Sequence, residues 1–374
     1  MRIRHFALCL GLFLLASHRT ARADTYVRFN TTLGNIDVQL FSAPGETPNT
    51  VTNFLSYIGN TDIIINRSAV TFNSNLNENV PFVVQAGAFN LIGSSINEVS
   101  FTTDYTTNPL NSEAGYHSNT RGTIAMALST GPNSATNQWF FNEADNSFLD
   151  TGDGGPFTVF GVITDTSSLS VMDQIGSTQG AVQPSDQSTF FADLINPPNA
   201  GFGANFSSMP LFNYNSSQGL LLSNLILVNS ITTLTVQTLA SWQTGPNAKF
   251  TSQQQINPNF IAAGATPWND KVPNLLKYVC DIDPSKPMTA AARANLPTAG
   301  TLSGGVLTLT YHQNSAMIGT TVNVQTSTDL QTWTTVSQPV FVQTGADSAG
   351  DPIFQVQVLA SGTRQFVRLQ ITQP

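Results

Sequence analysis

Charged residues are scarce in this sequence of 374 residues. Asp, Glu, Lys and Arg together make up 10 % of it, against about 25 % in an ordinary soluble domain. Between Asp24 and Leu234 there is no lysine, and three arginines face sixteen acidic residues, which gives this stretch a net charge of −13. Because binding to phosphate backbones needs clustered lysine and arginine, the composition disfavours a nucleic-acid partner, and we expect none.

Cysteine and histidine are also scarce, with two and four residues. Cys9 and two histidines lie near the N-terminus, which leaves Cys280, His117 and His312. One cysteine cannot form an internal disulfide, and two histidines supply little material for a metal centre or a Ser-His-Asp triad. We therefore expect no metal and no cofactor, and we interpret Cys280 as a buried structural thiol.

Residues 1–23 have the pattern of a secretory signal. A basic start precedes an apolar run over residues 6–16, and Ala21-Arg22-Ala23 resembles a cleavage site. The run is too short to cross a bilayer, which takes about 20 residues. The sequence predicts cleavage before Asp24 and a mature protein without a membrane span that is periplasmic, extracellular or at the cell surface.

Glycine, proline, phenylalanine and short Val/Ile/Thr runs are abundant, which favours strands and turns. Alternation predicts a hairpin over 26–30 and 36–41, and Thr47-Pro48 indicates the N-cap of a helix that buries Val51 and Phe54. Residues 171–175 form a second candidate helix. Further strands are predicted over 82–85, 122–127, 138–142, 157–163 and 220–231, with loops over 68–80, 88–121 and 176–218. We predict a mainly β fold, a closed antiparallel barrel with helical lids.

The C-terminal part differs in charge, since residues 235–374 carry a net charge of +1. A short helix is predicted over 272–279. Strands over 306–311, 321–326, 333–336, 354–358 and 366–371 indicate a small β-sandwich-like module. The predicted organisation is a signal peptide over 1–23, a barrel domain over 24–232, a linker with a short helix over 233–294 and a β module over 295–374.

Several sequence blocks occur in one order across the acidic part. They are Thr47-Pro-Asn-Thr-Val-Thr-Asn-Phe54, Asn66-Arg67-Ser68, Phe82-Val-Val-Gln-Ala-Gly87, Asn119-Thr-Arg-Gly-Thr-Ile-Ala-Met-Ala127, Gly131-Pro-Asn-Ser-Ala-Thr-Asn-Gln-Trp-Phe-Phe141, Phe148-Leu-Asp150 and Val159-Phe-Gly161. Their order and spacing resemble the cyclophilin family of peptidyl-prolyl cis-trans isomerases over about residues 26–231. The resemblance implies a closed barrel that acts on X-Pro segments of polypeptides.

By the same resemblance, Arg67 donates to the twisted amide, Gln85 orients Arg67 and contacts the substrate backbone, and Phe140 completes the catalytic set. The residues that the resemblance assigns to substrate binding are Phe82, Val83, Ala127, Leu128, Gln138, Phe148 and Leu149. Among these, Phe82, Val83 and Leu149 would line the proline pocket together with Phe140.

The reaction itself needs no covalent step. Rotation about an X-Pro bond is slow because it destroys amide resonance, a barrier of ~18–20 kcal/mol. The prolyl nitrogen regains a lone pair in the twisted state, so a fixed cationic donor stabilises that state. An apolar pocket holds the ring and disfavours the charge-separated planar form.

Alternative interpretations remain at the level of sequence. Arg67 alone would pass for a surface arginine, and the pocket residues for ordinary core. We expect Arg121 to hold a loop or an acid such as Glu113, and Arg28 to be a solvated strand residue. The chain could instead be a catalytically weak proline-peptide binding module, or a surface or glycan-binding structural protein.

Departures from the family pattern are also present. Asn66 replaces the histidine that many relatives have before the arginine, and Ala86 replaces a common glycine. Phe148 replaces the tryptophan of relatives that are sensitive to the cyclic peptide cyclosporin, so weak binding of this inhibitor is predicted.

The C-terminal part resembles a module appended to many exported bacterial proteins. The matching segments are Trp268-Asn-Asp-Lys-Val-Pro-Asn-Leu-Leu-Lys-Tyr-Val279 and Val324-Gln-Thr-Ser-Thr-Asp-Leu-Gln-Thr-Trp333. Of the Asp-rich loop that suggests calcium in relatives, Asn269 and Asp270 remain, so no calcium site is predicted. Analogy alone suggests that this module contacts the cell surface.

Overall fold

The structure, a computed structural model, describes residues 24–73, 78–92, 99–101, 109–152, 154–176, 181–185, 206, 208–215, 217–300, 302–360 and 365–373. The predicted signal peptide over 1–23 lies outside the described residues, as do parts of the predicted loops over 68–80, 88–121 and 176–218. Among the described helices, none combines the length and the apolar composition needed to cross a membrane.

The acidic part consists mainly of antiparallel strands. They are β1 (Thr25–Thr31), β2 (Gly34–Leu40), β3 (Ile63–Ile64), β4 (Arg67–Asn73), β5 (Glu78–Ala86), β6 (Phe89–Leu91), β7 (Val99–Phe101), β8 (Thr123–Met126), β9 (Trp139–Asn142), β10 (Val159–Ile163), β11 (Ala181–Ser185), β12 (Met209–Phe212) and β13 (Leu227–Leu234). Two longer helices, α1 (Pro48–Tyr57) and α2 (Thr166–Ile175), and short 3-10 turns at Ser147–Asp150 and Leu222–Asn224 complete this part.

The main sheet has the strand order β4-β5-β9-β8-β10-β2-β1-β13-β3-β6-β7. Its two halves meet in one chain segment, because β3 runs almost directly into β4. The amide of Ile65 donates to Ile226 O at 3.1 Å, whereas the amide of Asn66 donates to Gln85 O at 3.2 Å. Residues 63–73 therefore pair with β13 at one end and with β5 at the other, and this junction, which we call the seam, closes the barrel.

The barrel core follows from strand alternation. Every second residue of β1 and β2 is buried, including Val27, Phe29, Ile36 and Val38, as expected for strands with one inner face. The helix α1 covers the core with Val51 and Phe54, and α2 with Val171, Met172 and Ile175. The predicted fold class, a mainly β chain with a barrel, covering helices and C-terminal sheets, is confirmed.

Helix α1 begins at Pro48 with Thr47 in the N-cap position, as predicted. The Thr47 hydroxyl does not cap the helix but donates to Phe41 O at 3.1 Å. The Glu113 carboxylate accepts from the amides of Asn49 and Thr50 at 3.2 and 2.7 Å instead. An anion at a helix N-terminus accepts hydrogen bonds from the free amides and interacts favourably with the positive end of the helix dipole.

Two of the three arginines of the acidic part hold aspartates. Arg121 holds an acid as expected, although that acid is Asp173, at 2.9 Å, and not Glu113. The expectation that Arg28 is solvated is wrong, because its side chain is 12 % exposed and pairs with Asp37 at 2.7 Å. The reason is that β1 lies under the C-terminal part, where Arg28 also donates to Ser315 O.

The loops expected over 68–80, 88–121 and 176–218 contain strands. Residues 68–80 lie largely in β4 and β5, and β6, β7, β11 and β12 fall in the other two segments. Polar Ser/Thr/Asn-rich sequence hides strand alternation in these segments, whose pairing is decided by neighbouring strands rather than by local propensity.

The remaining elements belong to the C-terminal part. Its strands are β14 (Gln237–Thr238), β15 (Thr298–Ala299), β16 (Val306–His312), β17 (Met317–Ile318), β18 (Thr321–Ser327), β19 (Thr334–Thr335), β20 (Val340–Ala346), β21 (Pro352–Leu359) and β22 (Phe366–Thr372). Its helices are α3 (Leu239–Gln243), α4 (Ser252–Gln255), α5 (Pro258–Ile261), α6 (Asn274–Val279) and α7 (Ala290–Arg293), with a 3-10 turn at Pro267–Asn269. Two sheets, β15-β16-β21-β20 and β19-β18-β22, share one core.

The segment predicted as a linker contributes to that core. Trp242 and Tyr278 are fully buried and pack in the same cluster as Val324 and Phe354. Cys280 is fully buried, and burial raises the pKa of its thiol well above the usual range, so a structural role is supported.

Candidate active site

Arg67, Gln85 and Phe140 lie on three neighbouring strands. The register pairs Arg67 on β4 with Gln85 on β5, and Gln85 with Phe140 on β9. Directly opposed residues of antiparallel strands project from the same face. The three predicted catalytic side chains therefore form a row on the outer face of the barrel, while the alternate residues Val84 and Phe141 fill its core.

The Arg67 side chain is exposed. Within the described part of the chain, no hydrogen bond or ion pair engages its guanidinium, whereas Arg28 and Arg121 are both paired with aspartates. All five donor N–H groups of Arg67 are thus available to a ligand.

Gln85 holds a position between Arg67 and a second amide. Its Nε2 donates to Gln138 Oε1 at 2.8 Å. The Gln85 side chain thus bonds Gln138 and makes no described bond to Arg67. The expectation that Gln85 orients Arg67 is supported by their cross-strand pairing alone.

The predicted proline-pocket residues come together beside this row. Val83, Phe140 and Leu149 are buried in one apolar cluster, against which Phe82 and Ala127 pack. The ring of Phe82 stacks on Phe148 with centroids 5.8 Å apart, and Phe148, 55 % exposed, lies at the rim.

Phe157 belongs to the same cluster and was not predicted from the sequence. Its ring meets Phe140 edge to face with centroids 5.8 Å apart, and its amide donates to Leu149 O at 3.2 Å. An apolar residue directly after the turn-forming Gly154-Gly155-Pro156 could have suggested a place in the cluster. The loop between Leu149 and Phe157 made their contact hard to predict from the sequence.

A cavity of about 470 Å³ opens next to the row. Gln85, Ala127, Leu128 and Gln138 line it together with hydroxyl and amide side chains of residues 129–136. The structure thus places Ala127, Leu128 and Gln138 at a polar cavity. Phe82, Val83 and Leu149 belong to the apolar cluster, and Phe148 joins it by stacking on Phe82. Ala127 lies at the cavity and also packs on the cluster.

Two carboxyl groups near the pocket have shifted pKa values. Burial raises the pKa of Glu143 to about 8, with Asp173 raising it further and Arg121 opposing. For Asp150 burial acts upward, but hydrogen bonds from Ser118 and Asn119 outweigh it and lower the pKa. At neutral pH Glu143 is therefore largely protonated and Asp150 is ionised.

Comparison with known proteins shows the family of this chain. The model of the family described as cyclophilin type peptidyl-prolyl cis-trans isomerase matches residues 26–191. A peptidyl-prolyl cis-trans isomerase of Acinetobacter baylyi is 33 % identical over 180 residues, which cover 47 % of this chain and 83 % of the relative. The chain belongs to the cyclophilin family. It is an enzyme, a cyclophilin-type peptidyl-prolyl cis-trans isomerase.

Further relatives of this cyclophilin are bacterial. Peptidyl-prolyl cis-trans isomerase B of Escherichia coli is 33 % identical over 155 residues, 40 % of this chain and 82 % of the relative. Among solved structures, a cyclophilin type peptidyl-prolyl cis-trans isomerase of Cryptosporidium parvum matches with 16 % identity and a TM-score of 0.35, covering 57 % of this chain and 99 % of that one.

Proposed function

We propose that this cyclophilin isomerises X-Pro bonds by holding the proline ring in the apolar cluster of Phe82, Val83, Phe140 and Leu149 while Arg67 stabilises the twisted amide. The observation that carries the proposal is the Arg67 guanidinium, which has no partner among the described residues and lies on the strand next to Gln85, two strands from Phe140.

The chemistry follows from these groups. As the peptide bond leaves planarity, the prolyl nitrogen becomes pyramidal and accepts a hydrogen bond. A guanidinium is permanently charged and presents several N–H groups in a fixed plane. One of them can donate to that nitrogen while another holds the carbonyl oxygen after the proline. The donor binds the twisted state better than the planar one, which is what lowers the barrier.

The surroundings strengthen this effect. Phe140 and Val83 are each 4 % exposed and Leu149 is 7 % exposed, so the ring enters a site with little water. A low-polarity pocket disfavours the dipolar resonance form of the planar amide. Gln85, fixed by Gln138, would contact the backbone on the side of the polar cavity, with Ala127 and Leu128 along the peptide.

Replacing the arginine tests the mechanism. We expect Arg67→Ala to lower kcat/KM on a short X-Pro peptide by about 100-fold, the usual cost of losing one transition-state donor, with a smaller effect on peptide affinity. Arg67→Lys should recover only part of the rate because lysine is a point charge. Arg293→Ala, which removes an exposed arginine of α7, is the matched control.

The same measurement separates the enzyme from a catalytically weak proline-peptide binding module. Equal rates of cis-trans interconversion for the wild type and Arg67→Ala, at equal peptide binding, would refute the proposed role of the guanidinium.

We also infer that the clients are exported proteins. The support is the signal-like pattern of residues 1–23. N-terminal sequencing of the protein recovered from cell fractions tests this inference. A start at Asp24 in an extracytoplasmic fraction is expected, and an intact Met1 in the cytosol would contradict it.

A further inference from the structure

Three buried asparagines lie behind the proline pocket. Asn119 and Asn142 are fully buried and Asn146 is 1 % exposed. Burying a side-chain amide is costly unless its donors and acceptor are bonded. The bonds that these amides make lead to the backbone and side chains of the pocket itself.

One end of the group holds the first pocket wall. Asn146 Nδ2 donates to Phe82 O at 2.8 Å, and the amide of Glu143 donates to the same oxygen at 3.0 Å. The backbone position of Phe82, whose ring stacks on Phe148, is thereby fixed from below.

The other end holds the opposite wall. Asn119 Nδ2 donates to Asp150 Oδ1 at 2.8 Å and to Phe157 O at 3.3 Å, and its backbone amide also donates to Asp150 Oδ1, at 2.9 Å. Asp150 directly follows Leu149, and Phe157 packs on Phe140. Asn119 therefore fixes both ends of the loop that carries Leu149 and Phe157.

Asn142 joins the two ends. Its Oδ1 accepts from Asn146 Nδ2 at 2.8 Å, and its Nδ2 donates to Asn119 Oδ1 at 3.1 Å and to Thr123 Oγ1 at 2.9 Å. We call Asn119, Asn142 and Asn146 the asparagine bridge. It runs without interruption from Phe82 O to Phe157 O.

We propose that the asparagine bridge sets the distance between the two pocket walls and thereby the size of the ring that the enzyme accepts. The proposal rests on the proposed function, because it takes this cluster as the proline pocket. The three asparagines are positioning residues. They act through Phe82, Leu149 and Phe157 and do not touch the substrate.

The physical reason lies in the stiffness of bonded amide chains. A buried chain with every bond made has one arrangement, whereas deletion of one member leaves an unsatisfied partner that must shift or take up water. A pocket whose walls can move apart loses discrimination against a larger ring, and one methylene in a tight apolar pocket is worth about 10- to 200-fold in kcat/KM.

The experiment compares two substrates that differ in ring size. Matched peptides carry proline or its six-membered homologue, pipecolic acid, and kcat/KM is measured for each. For Asn142→Ala and Asn146→Ser we expect the proline-to-pipecolyl ratio to fall about tenfold. Asn224→Ala is the control, because Asn224 is also buried and bonds Phe212 O and Asn213 O away from the pocket.

A double variant sharpens the test. Among the side-chain bonds of the described residues, Asn142 connects to Phe82 O by way of Asn146. Asn142→Ala combined with Asn146→Ser should therefore lose scarcely more selectivity than Asn142→Ala alone. A purely structural role would lower the melting temperature of each variant and leave the ratio unchanged for the folded protein. If Asn142→Ala does not fold, Asn146→Ser decides, since it leaves the bonds of Asn119 in place.

The outcomes separate this proposal from the preceding one. An unchanged ratio in folded, active Asn146→Ser overturns the role of the bridge while the catalytic role of Arg67 stands. If Phe140→Ala leaves proline turnover unchanged in the wild-type background, the pocket assignment fails, and the bridge proposal fails with it.

Discussion

Glu143 is a buried carboxyl group with 6 % exposure and no hydrogen-bond partner for either oxygen among the described residues. It follows β9 directly and lies against Gly176 at the end of α2, where an added Cβ would overlap Glu143 Oε1. Burial without a partner favours the neutral form, which agrees with the pKa of about 8. Once the pH is high enough for this carboxyl to ionise in the unfolded chain, keeping it buried and neutral lowers the stability of the folded protein.

We expect this cost to appear as a pH dependence of stability. The folded-state pKa of Glu143 is raised from 4.5 to about 8, so the unfolded chain loses a proton between these values while the folded one keeps it. Stability therefore falls as the pH rises through this window and levels off above about 8.

Glu143→Gln is neutral at every pH and should remove this dependence. The melting temperature of the variant minus that of the wild type should grow by several degrees between pH 4.5 and pH 8.5. At ~1.4 kcal/mol per pKa unit the free-energy change is on the order of a few kcal/mol. A difference that stays constant across this range would show that Glu143 titrates normally.

At the residue scale, motif order points to the candidate site better than residue type does. Arg67, Gln85 and Phe140 stand far apart in the chain, and only the order of the blocks marked them, yet the register places them side by side. Asn142 and Asn146 passed unnoticed because asparagine is common in this sequence. Their importance arises from bonds that burial enforces, which local sequence does not reveal.

The helix α2 joins the two parts of the chain. The Phe341 amide on β20 donates to Ser170 Oγ at 2.9 Å, and Gln174 Nε2 donates to Phe341 O at 3.0 Å. β20 is the last strand in its sheet, so its outward N–H and C=O groups need partners. Two side chains of α2 supply them in place of another strand.

Removal of these partners should destabilise the protein. We expect Gln174→Ala to lower the free energy of unfolding by about 1–3 kcal/mol, because it leaves the buried Phe341 carbonyl unsatisfied. Denaturant unfolding measures the loss. Gln39→Ala is the control, because it deletes an exposed bond to Asp24 and should cost much less. Equal losses of unfolding free energy for the two variants would contradict a stabilising role of the bond between Gln174 and Phe341.

At the element scale, long segments with alternating polarity were predictable from sequence. An edge strand that is held by another part of the chain was not. The hairpin of β1 and β2 and the buried face of α1 follow from periodicity alone. β20 was missed because the second half of its sequence, Val340–Ala346, consists of two polar residues, glycine and alanine. Its strand conformation depends on β21 on one side and on α2 on the other.

The charge difference between the two parts is a property of the whole molecule. Asp145 is exposed and Asp150 is ionised, and both flank the turn that bears Phe148 at the pocket rim. With Arg28 and Arg121 neutralised by their partners, the acidic part attracts cations over distances that salt controls.

We therefore expect a preference for basic clients. A peptide with lysines beside its X-Pro bond should show a several-fold higher kcat/KM than its glutamate counterpart at low salt. The preference should shrink as ionic strength approaches about 0.15 M, where the screening length is about 8 Å. A serine peptide, as control, should respond little to salt. A salt-independent preference would point to direct contacts instead of the surface field.

Composition separates the two parts correctly in charge, but it does not show how they associate. Val171 of α2 and Gln343 of β20 both approach Gly34 of β2, and Gln313 Nε2 donates to Ser167 Oγ. We propose that the C-terminal module begins near Leu239 rather than near 295, since residues 239–282 complete its core. Sequence local to this segment resembles a linker because its helices are short.

The seam of the barrel has a consequence for turnover. Arg67 stands one residue beyond Asn66, the point at which the strand exchanges β13 for β5 as its partner. If Arg67 acts on the peptide as we propose, an opening of the barrel at this place would shift the cation relative to the bound substrate. We therefore expect the strength of this strand crossing to affect turnover.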